Sequence, residues 1–304
     1  MSGYIAELYG FRADDVSDVS LQHAQGRICP VTNSLCAKKL SRDNTPSGVC
    51  AIKQMKIDSP EIICCPIRLY AEDYKLLKLV ARDAFKGDFP LCAGNSAVGY
   101  ALENKKETVA VFGHDWGGEL RLPKREGVGS YFVDWVLAKL NENGQLTEFT
   151  AIEIQTIDTT GSYRDAQQAL VNDRSIVKDS VGLNWENVSK RIIPQIIYKG
   201  QVLQREELCR TGLYFICPTP VYQNVLKRLG GKDKLMKFPS QPASIHFWAY
   251  DYDQTEMKTD GKMRSLTFIE EHCTTVYKVQ EAFSAVDLPD GNVYRDAIIH
   301  ALYD

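Results

Sequence analysis

The sequence lacks several features that mark whole classes of protein. No apolar run approaches the roughly 18 to 20 residues that a membrane-spanning helix needs, and no apolar segment follows a basic start as in a secretory signal. Neither sign of charge dominates, because the net charge is only −3. Internal repeats and low-complexity tracts are also missing. We therefore expect a cytoplasmic globular protein without a membrane anchor, and composition argues against disordered and fibrous proteins.

The overall composition permits a large core but hides an uneven distribution of charge. With 304 residues, of which 44% are hydrophobic, the chain is long enough to fold without disulfides. Residues 174–237 carry an excess of Lys and Arg, whereas residues 238–304 carry an excess of Asp and Glu. The basic stretch is either a solvated surface or a groove for a polyanion. Under the second interpretation, the candidates for phosphate contact are Lys190, Arg191, Lys227 and Arg228.

The nine cysteines are too few for a disulfide framework in a chain of this size, and none forms a Cys-x-x-Cys pair. Five of them nevertheless fall close together in the sequence: Cys29, Cys36, Cys50, Cys64 and Cys65. In a reducing cytosol, clustered thiols indicate a metal site rather than disulfides. Tetrahedral thiolate ligation suits zinc or iron, and sequence chemistry does not choose between them.

The order of elements predicts three segments and an α/β fold. Residues 1–70 are rich in turn-forming residues and show little periodic hydrophobicity, so we expect them to need a metal clip. Residues 71–237 alternate helical and strand patterns and are predicted to form the main domain. Residues 238–304 add a further strand and helix that extend this domain or supply a DNA-binding or dimer surface. The expected architecture is a mixed central sheet flanked by helices.

A short glycine-rich motif offers one enzymatic interpretation. The run Gly-His-Asp-Trp-Gly-Gly resembles the nucleophile elbow of epoxide hydrolases and dehalogenases, with Asp115 as the nucleophile. An elbow must open into a helix, yet Pro123 and Gly127 follow within a few residues and would stop one. An α/β-hydrolase that uses Asp115 therefore remains an alternative function.

Two predicted strands display acids in otherwise apolar surroundings. In the run AIEIQT, side chains alternate, so that Glu153 and Gln155 share one face. Asp134 lies nineteen residues before Glu153, inside the apolar run SYFVDWVL. Because buried carboxylates need partners, the two acids either share a divalent cation or each pair with an arginine or a backbone donor.

An Asp on one strand followed by Glu-x-Gln on the next resembles the PD-(D/E)XK nuclease core, with Gln155 standing where that core has a lysine. Further motifs occur in the same order as in one family: ICPVTNSLCAKK, IICCPIRLY and GGELRLP, the last of which contains Glu119. From about Cys29 to about Tyr198 the chain resembles the NotI family of type II restriction endonucleases. It is similar to the shorter, EagI-like members.

The resemblance implies roles for particular residues. Asp134 and Glu153 would hold a catalytic Mg²⁺, Glu119 would contact the ion or its water, and Gln155 would contact the attacking water. It also implies a structural iron, or zinc, bound by four thiols in the N-terminal segment: Cys29, Cys36, Cys50 and Cys65. Cys65 is preferred over Cys64 because a proline follows it, as Pro30 follows Cys29.

The resemblance further implies cleavage of double-stranded DNA at a GC-rich palindrome centred on GGCC. A two-fold site is most simply read by a two-fold dimer, so we expect a homodimer. We also expect a DNA methyltransferase that protects the same site rather than binding the nuclease. A non-catalytic DNA-binding protein clipped by a metal remains a further alternative, which the joint presence of Glu119, Asp134 and Glu153 disfavours.

Overall fold

The computed structural model describes residues 2–40, 44–56, 58–114, 116–120, 132–161, 163–285 and 290–303. The strands are β1 (Gly3–Leu8), β2 (Phe11–Arg12), β3 (Ile28–Cys29), β4 (Ser34–Leu35), β5 (Val49–Gln54), β6 (Glu61–Ile63), β7 (Leu91–Ala93), β8 (Thr108–Gly113), β9 (Trp135–Leu140), β10 (Leu146–Ile154), β11 (Thr159–Thr160), β12 (Gly182–Leu183), β13 (Leu213–Cys217), β14 (Ser244–Tyr252) and β15 (Leu266–Thr275). The helices are α1 (Asp18–Gly26), α2 (Ala71–Phe85), α3 (Ser96–Asn104), α4 (Arg164–Asp173), α5 (Ile193–Leu203), α6 (Thr219–Arg228), α7 (Val276–Ser284) and α8 (Val293–Tyr303). A 3₁₀ turn spans Pro66–Tyr70, and a π-helical turn spans Val188–Ile192.

A large mixed sheet organises the molecule, with strand order β15-β14-β13-β10-β9-β8-β7. Strand β13 runs parallel to both β10 and β14, and β7 runs parallel to β8. The remaining pairs, β8 with β9, β9 with β10 and β14 with β15, are antiparallel. The predicted α/β architecture with a mixed sheet flanked by helices is therefore confirmed.

Side chains that alternate along the strands divide the core between the two faces of this sheet. On one face, residues such as Ala151 and Phe215 pack with buried residues of α4, α5, α6 and α7. On the other face, residues such as Ile152 and Tyr214 pack with the apolar side of α2. Successive residues of one strand therefore face different helices, and this separation decides which polar side chains can meet.

The helical spacing of Leu76, Leu77, Val80 and Ala84 predicts a helix, and α2 confirms it with all four side chains buried. Its first turn, Glu72 to Tyr74, has positive φ angles, so the regular right-handed helix begins at Lys75. Among the described residues, no helix combines the length and the apolar character that crossing a membrane requires.

Residues 1–70 contain regular strands despite their little periodic hydrophobicity. This segment forms a four-stranded antiparallel sheet with strand order β2-β1-β5-β6. Its central strands bury Ile5, Leu8, Val49 and Ile52 in the same core as the helices of the large sheet. These short apolar runs are obscured in the sequence by the turn-forming residues around them. Whether the segment boundaries at residues 70 and 237 mark independent domains stays a prediction.

A buried network of charges connects the small sheet with the end of the large one. Arg68 donates from Nε to Oε1 of Glu7 at 2.6 Å, and both side chains are fully buried. Arg264, which precedes β15, contacts Oε2 of Glu7 at 3.2 Å and Oε2 of Glu61 at 2.5 Å. Its guanidinium also lies 3.6 Å above the ring of Tyr252. The network therefore ties residues 1–70 to residues 238–304.

We predict that Arg68→Met lowers the free energy of unfolding by about 3–5 kcal/mol, because removing one partner leaves the Glu7 carboxylate buried and incompletely compensated. Urea denaturation of the purified protein measures this. Lys78→Met is the control, since its ion pair with Asp73 is exposed and should contribute less than about 1 kcal/mol. Equal effects of the two substitutions would contradict the prediction.

Candidate active site

The register of two neighbouring strands brings two of the predicted acids together. Strands β9 and β10 are antiparallel, with Ile152 opposite Trp135. One further step along the same register sets Asp134 opposite Glu153, at the point where β9 begins and β10 ends. Ile152 and Trp135 are buried on the α2 face, so the two acids lie on the α5 face.

Two of the four carboxylate oxygens are held by donors, whereas one oxygen of Glu153 is held by none of the described residues. Oδ2 of Asp134 accepts from the backbone N–H of Ile154 at 2.7 Å. Oε1 of Glu153 lies 2.5 Å from Nζ of Lys199. Oε2 of Glu153 is buried and has no hydrogen-bond partner among the residues that the structure describes. Glu153 is only 8% exposed, so its second oxygen is a buried acceptor that remains to be satisfied.

Both acids are held where a negative charge is unfavourable. Burial raises the pKa of Glu153, the charge of Asp134 raises it further, and the opposing effect of Lys199 leaves it at about 7. Burial also raises the pKa of Asp134, against the hydrogen bond from Ile154 and the charge of Lys199. Asp134 is the more open of the two, because part of its side chain reaches solvent. A bound cation would favour the ionised form of both groups.

Glu119 lies on the open side of Asp134. The two residues line a cavity of about 50 Å³ together with Phe112, Gly113 and Val136, which is more space than one water needs. The charge of Glu119 contributes to the raised pKa of Asp134. Within the described residues, however, the carboxylates of Glu119, Asp134 and Glu153 do not all come within 4.8 Å of one another.

Gln155 follows β10 and shares the face of Glu153. Its backbone N–H donates to the carbonyl of Ile216 at 2.9 Å, which continues the pairing of β10 with β13. Its side-chain Nε2 donates to the carbonyl of Thr156 at 2.7 Å. The amide is therefore tied to the neighbouring backbone through its nitrogen.

Lys199 was missed by sequence reasoning. It lies on α5, whose sequence IPQIIYKGQVL contains no other charged residue, and its side chain is only 16% exposed. A single charge in an otherwise apolar helix was the available signal. Because α5 packs on β13 and β14, next to the end of β10, that charge reaches the carboxylates.

The proposed nucleophile of the hydrolase alternative, Asp115, lies outside the described residues. Residues 116–120, which are described, form no helix. A nucleophile elbow requires a helix directly after the turn, so this part of the chain lacks the context that the motif needs.

Three of the predicted metal-binding thiols, Cys36, Cys50 and Cys65, are buried, and Cys29 is partly exposed. A hydrogen bond between the thiols of Cys50 and Cys65 lowers the pKa of Cys65 to about 6 and raises that of Cys50. Burial raises the pKa of Cys36, and the charges of Cys65 and Cys29 raise it further. The predicted four are therefore neighbours, although within the described residues no three of their sulfurs lie within 4.8 Å of one another.

Cys64 has a different neighbour from Cys65. Nζ of Lys38 lies 3.6 Å from Sγ of Cys64 and donates to its carbonyl oxygen at 3.1 Å. The hydrogen bond between the thiols of Cys50 and Cys65 favours Cys65 as the fourth member of the thiol group. The positive charge of Lys38 also acts on Cys65.

One group of three side chains does have metal-like spacing, namely Asp83, His246 and Glu271, whose ligand atoms lie within 4.8 Å of one another. It lies on the α2 face, away from Asp134 and Glu153. Nδ1 of His246 contacts Oε1 of Glu271 at 2.5 Å, and Nε2 donates to the carbonyl of Thr211 at 3.0 Å. The hydroxyl of Tyr214 donates to Oδ2 of Asp83 at 2.6 Å.

Each acid of this group has a donor. Glu271 pairs with His246, whereas Asp83 accepts from Tyr214 and pairs with Lys86. Burial lowers the pKa of His246, but its contacts with Cys273 and Glu271 outweigh this effect and raise the pKa to about 9. We interpret the contact of His246 with Glu271 as a partly buried ion pair that stabilises the sheet.

The sequence model of the family described as "Restriction endonuclease NotI" matches residues 13–208, which is more than half of the chain. The matched stretch contains the clustered thiols and all four predicted residues of the carboxylate site, and it also contains Lys199. No curated protein matches the chain.

We predict a pH-dependent contribution of Glu271 to stability. Because folding raises the pKa of His246 from 6.5 to about 9, the stabilisation is fully present below pH 6.5 and is lost as the pH rises through 9. The difference in free energy of unfolding between wild type and Glu271→Gln should therefore be largest near pH 6 and shrink towards alkaline pH. Denaturant titrations at several pH values measure it.

The matched control is Glu270→Gln on the same strand, because Glu270 pairs at the surface with Lys232. Its effect should be small and constant over the same pH range. A Glu271→Gln effect that does not change with pH would refute the assignment of a charged His246.

Proposed function

The chain belongs to the NotI family of restriction endonucleases and is thus a restriction enzyme that cuts DNA at specific sites; from this premise we propose that it is a Mg²⁺-dependent type II enzyme with a PD-(D/E)XK core. The observation that carries the proposal is the meeting of Asp134 and Glu153 on facing strand ends, with Oε2 of Glu153 buried and unsatisfied by any described residue.

The donor chemistry of this site fits a hard cation. Mg²⁺ prefers carboxylate and water oxygens, and it is usually held by one or two carboxylates that leave room for water. Asp134 and Glu153 would hold it, and the cavity beside Asp134 and Glu119 has space for water. The bound ion would supply a water of lowered pKa and Lewis-acid stabilisation of the phosphate.

The remaining residues would position the reactants. Glu119, exposed beside Asp134, would accept a hydrogen bond from water at the mouth of the site. Gln155 shares the face of Glu153, and its side-chain oxygen would orient the attacking water. An amide adds no positive charge, so Gln155 cannot replace the electrostatic contribution of the lysine that other members of the superfamily have at this position.

We also propose that Cys29, Cys36, Cys50 and Cys65 bind one structural iron or zinc ion. Buried thiols contributed by separate strands and turns suit a tetrahedral site, and the depressed pKa of Cys65 favours the thiolate that a metal needs. Cys50 lies on β5 of the small sheet and Cys65 follows β6, whereas Cys29 lies on β3 and Cys36 follows β4. All four are far in sequence from the carboxylates. The bound metal would stabilise this segment and help to position it on DNA. It would take no part in cleavage.

DNA contacts are proposed for the basic stretch. Lys227 and Arg228 line a cavity of about 550 Å³ that also receives Lys234 and Lys278 and a single acid, Glu281. Lys190 and Arg191 directly follow Ser189, which also lines this cavity. At the surface, Lys190 pairs with Glu186 and Arg191 with Asp158. Such weak, exposed pairs exchange readily for phosphate, so all four predicted cations remain candidates.

A palindromic site, proposed to be GC-rich and centred on GGCC, would be read by a homodimer. Support comes from α8, whose described residues are all exposed and include Tyr294, Ile298 and Leu302. An isolated helix of this length is marginal in water, and a second protomer would cover its apolar side chains. The enzyme would act in the cytoplasm, where a methyltransferase of the same specificity protects the host DNA.

The principal test is cleavage of unmethylated GC-rich plasmid DNA with Mg²⁺ or with EDTA, followed by mapping of the ends. We expect discrete fragments with Mg²⁺ only. Asp134→Asn and Glu153→Gln should reduce the rate by at least about 1,000-fold, and Gln155→Ala by about 100-fold, because the first two hold the ion and the third orients water.

Glu148→Gln is the matched control, since Glu148 lies on the same strand but at the far end of it, beside Lys139. It should cut at the wild-type rate. Cleavage by either acid variant at near wild-type rates would refute the site. Binding of DNA without cleavage would favour the non-catalytic alternative, and metal-independent hydrolysis of an epoxide or haloalkane would favour the use of Asp115.

A second experiment tests the thiol site. Cys36→Ser should lose the bound iron or zinc and lower the stability of the protein, because one of four ligands is removed. Metal analysis of the purified protein measures the content. Cys92→Ser, which changes a thiol outside the group, should keep the metal. Full metal content in Cys36→Ser would count against the assignment.

A further inference from the structure

The positive charge beside the carboxylate pair comes from a helix and not from the strand. In the PD-(D/E)XK pattern the lysine follows the glutamate by two residues, and here Gln155 occupies that position. Nζ of Lys199 lies 2.5 Å from Oε1 of Glu153, with the lysine side chain 16% exposed. A buried ammonium at this distance makes a strong, directional contact.

The packing of α5 explains why Lys199 reaches Glu153. Gly200, the next residue, allows the helix to lie close to the sheet: a Cβ at this position would meet Ile245 at 2.7 Å and Val276 at 2.9 Å. Ile196 and Leu203 are buried on the same side of the helix. The approach of the helix is therefore fixed by its neighbours, and Lys199 is carried to the carboxylate with it.

An irregular turn precedes α5. Val188–Ile192 forms a π-helical turn, and α5 follows it directly with Pro194 in its first turn. Such turns are frequent at functional sites.

The contact with Lys199 makes the two oxygens of Glu153 different. Oε1 is engaged by the ammonium, whereas Oε2 is buried and without a partner among the described residues. Asp134 approaches from the facing strand and is held by the N–H of Ile154. The lysine therefore orients Glu153 so that one oxygen is left for a cation that Asp134 can share.

We propose that Lys199 is a positioning residue of the nuclease site, which holds Glu153 through Oε1 and supplies the ammonium that Gln155 lacks. This inference rests on the proposed function of Asp134 and Glu153. The competing role is that of a simple counter-ion, which would stabilise the two carboxylates before metal binds and would then be dispensable.

Two measurements on Lys199→Met separate these roles. The first is the affinity for Mn²⁺, followed through the electron paramagnetic resonance of the free ion, in otherwise wild-type protein whose thiols keep the proposed structural metal. The second is the DNA cleavage rate at saturating Mn²⁺ in the same protein. Circular dichroism and thermal melting confirm that each variant is folded.

We expect Lys199→Met to bind Mn²⁺ at least as tightly as its parent, because a cation that competes for Glu153 is gone. It should nevertheless cut about 10- to 100-fold more slowly at saturating metal, which is the usual effect of removing a residue that orients a metal ligand. Lys199→Arg should recover part of the rate, since it keeps the charge and a donor. Lys78→Met, on the exposed side of α2, is the control and should change neither quantity.

The relocated charge provides the sharpest test. Gln155 and Glu153 share a face, so a lysine at position 155 would bring its ammonium beside the same carboxylate. The double variant Gln155→Lys, Lys199→Met should therefore cut at least about tenfold faster than Lys199→Met alone, which reverses the loss.

A cleavage rate of Lys199→Met within about threefold of the parent rate at saturating metal would overturn the proposal, because Lys199 would then be only a counter-ion. Failure of both the arginine and the relocated lysine to recover any activity would overturn it as well, because position 199 would then serve only packing. A parent protein that cuts no DNA would instead refute the proposed function, and this outcome is distinct from equal cutting by parent and variant.

Discussion

The central constraint in this structure is the meeting of two like charges, of which Glu153 is buried and Asp134 is exposed, at one point of a β-sheet. The antiparallel register of β9 and β10 sets Asp134 opposite Glu153, and neither can move to the other face without a slip of the whole strand. Their mutual repulsion is offset by the N–H of Ile154 and by Lys199, but one oxygen of Glu153 stays unsatisfied within the described residues. The protein thus holds an arrangement that costs stability, which is what a cation site requires.

The two faces of the large sheet treat buried charge in contrasting ways. On the α2 face, Glu271 pairs with His246 and Asp83 accepts from Tyr214, so both acids have donors. On the α5 face, the acids outnumber the single lysine that reaches them. A group whose acids all have donors stabilises the fold, whereas one with an unsatisfied acceptor is available to a ligand. Metal-like spacing alone points to the α2 face, whereas the unsatisfied oxygen of Glu153 points to the α5 face.

Sequence reasoning reached the parts of the site that depend on local periodicity. The alternation of AIEIQT was sufficient to set Glu153 and Gln155 on one face, and an acid inside an apolar run was sufficient to single out Asp134. It could not predict the proximity of Lys199, because this proximity depends on the tertiary approach of α5 to the sheet, which Gly200 allows. For the same reason the small sheet was missed: β1 and β5 pair across more than forty residues of chain, and only tertiary packing joins them.

The small sheet connects the thiols to the rest of the fold through very few residues. Cys64 and Cys65 directly follow β6. Arg68 lies in the 3₁₀ turn that comes next and forms an ion pair with Glu7. The charge of Glu7 in turn contributes to the raised pKa of Cys50 and of Cys64, so the carboxylate lies close to the thiols as well. A divalent ion bound by four thiolates would carry a net negative charge, and Lys38 beside Cys64 is placed to offset part of it. If the thiols bind the proposed metal, the same few residues would therefore hold the metal, the small sheet and, through Arg264, the start of β15 in one arrangement.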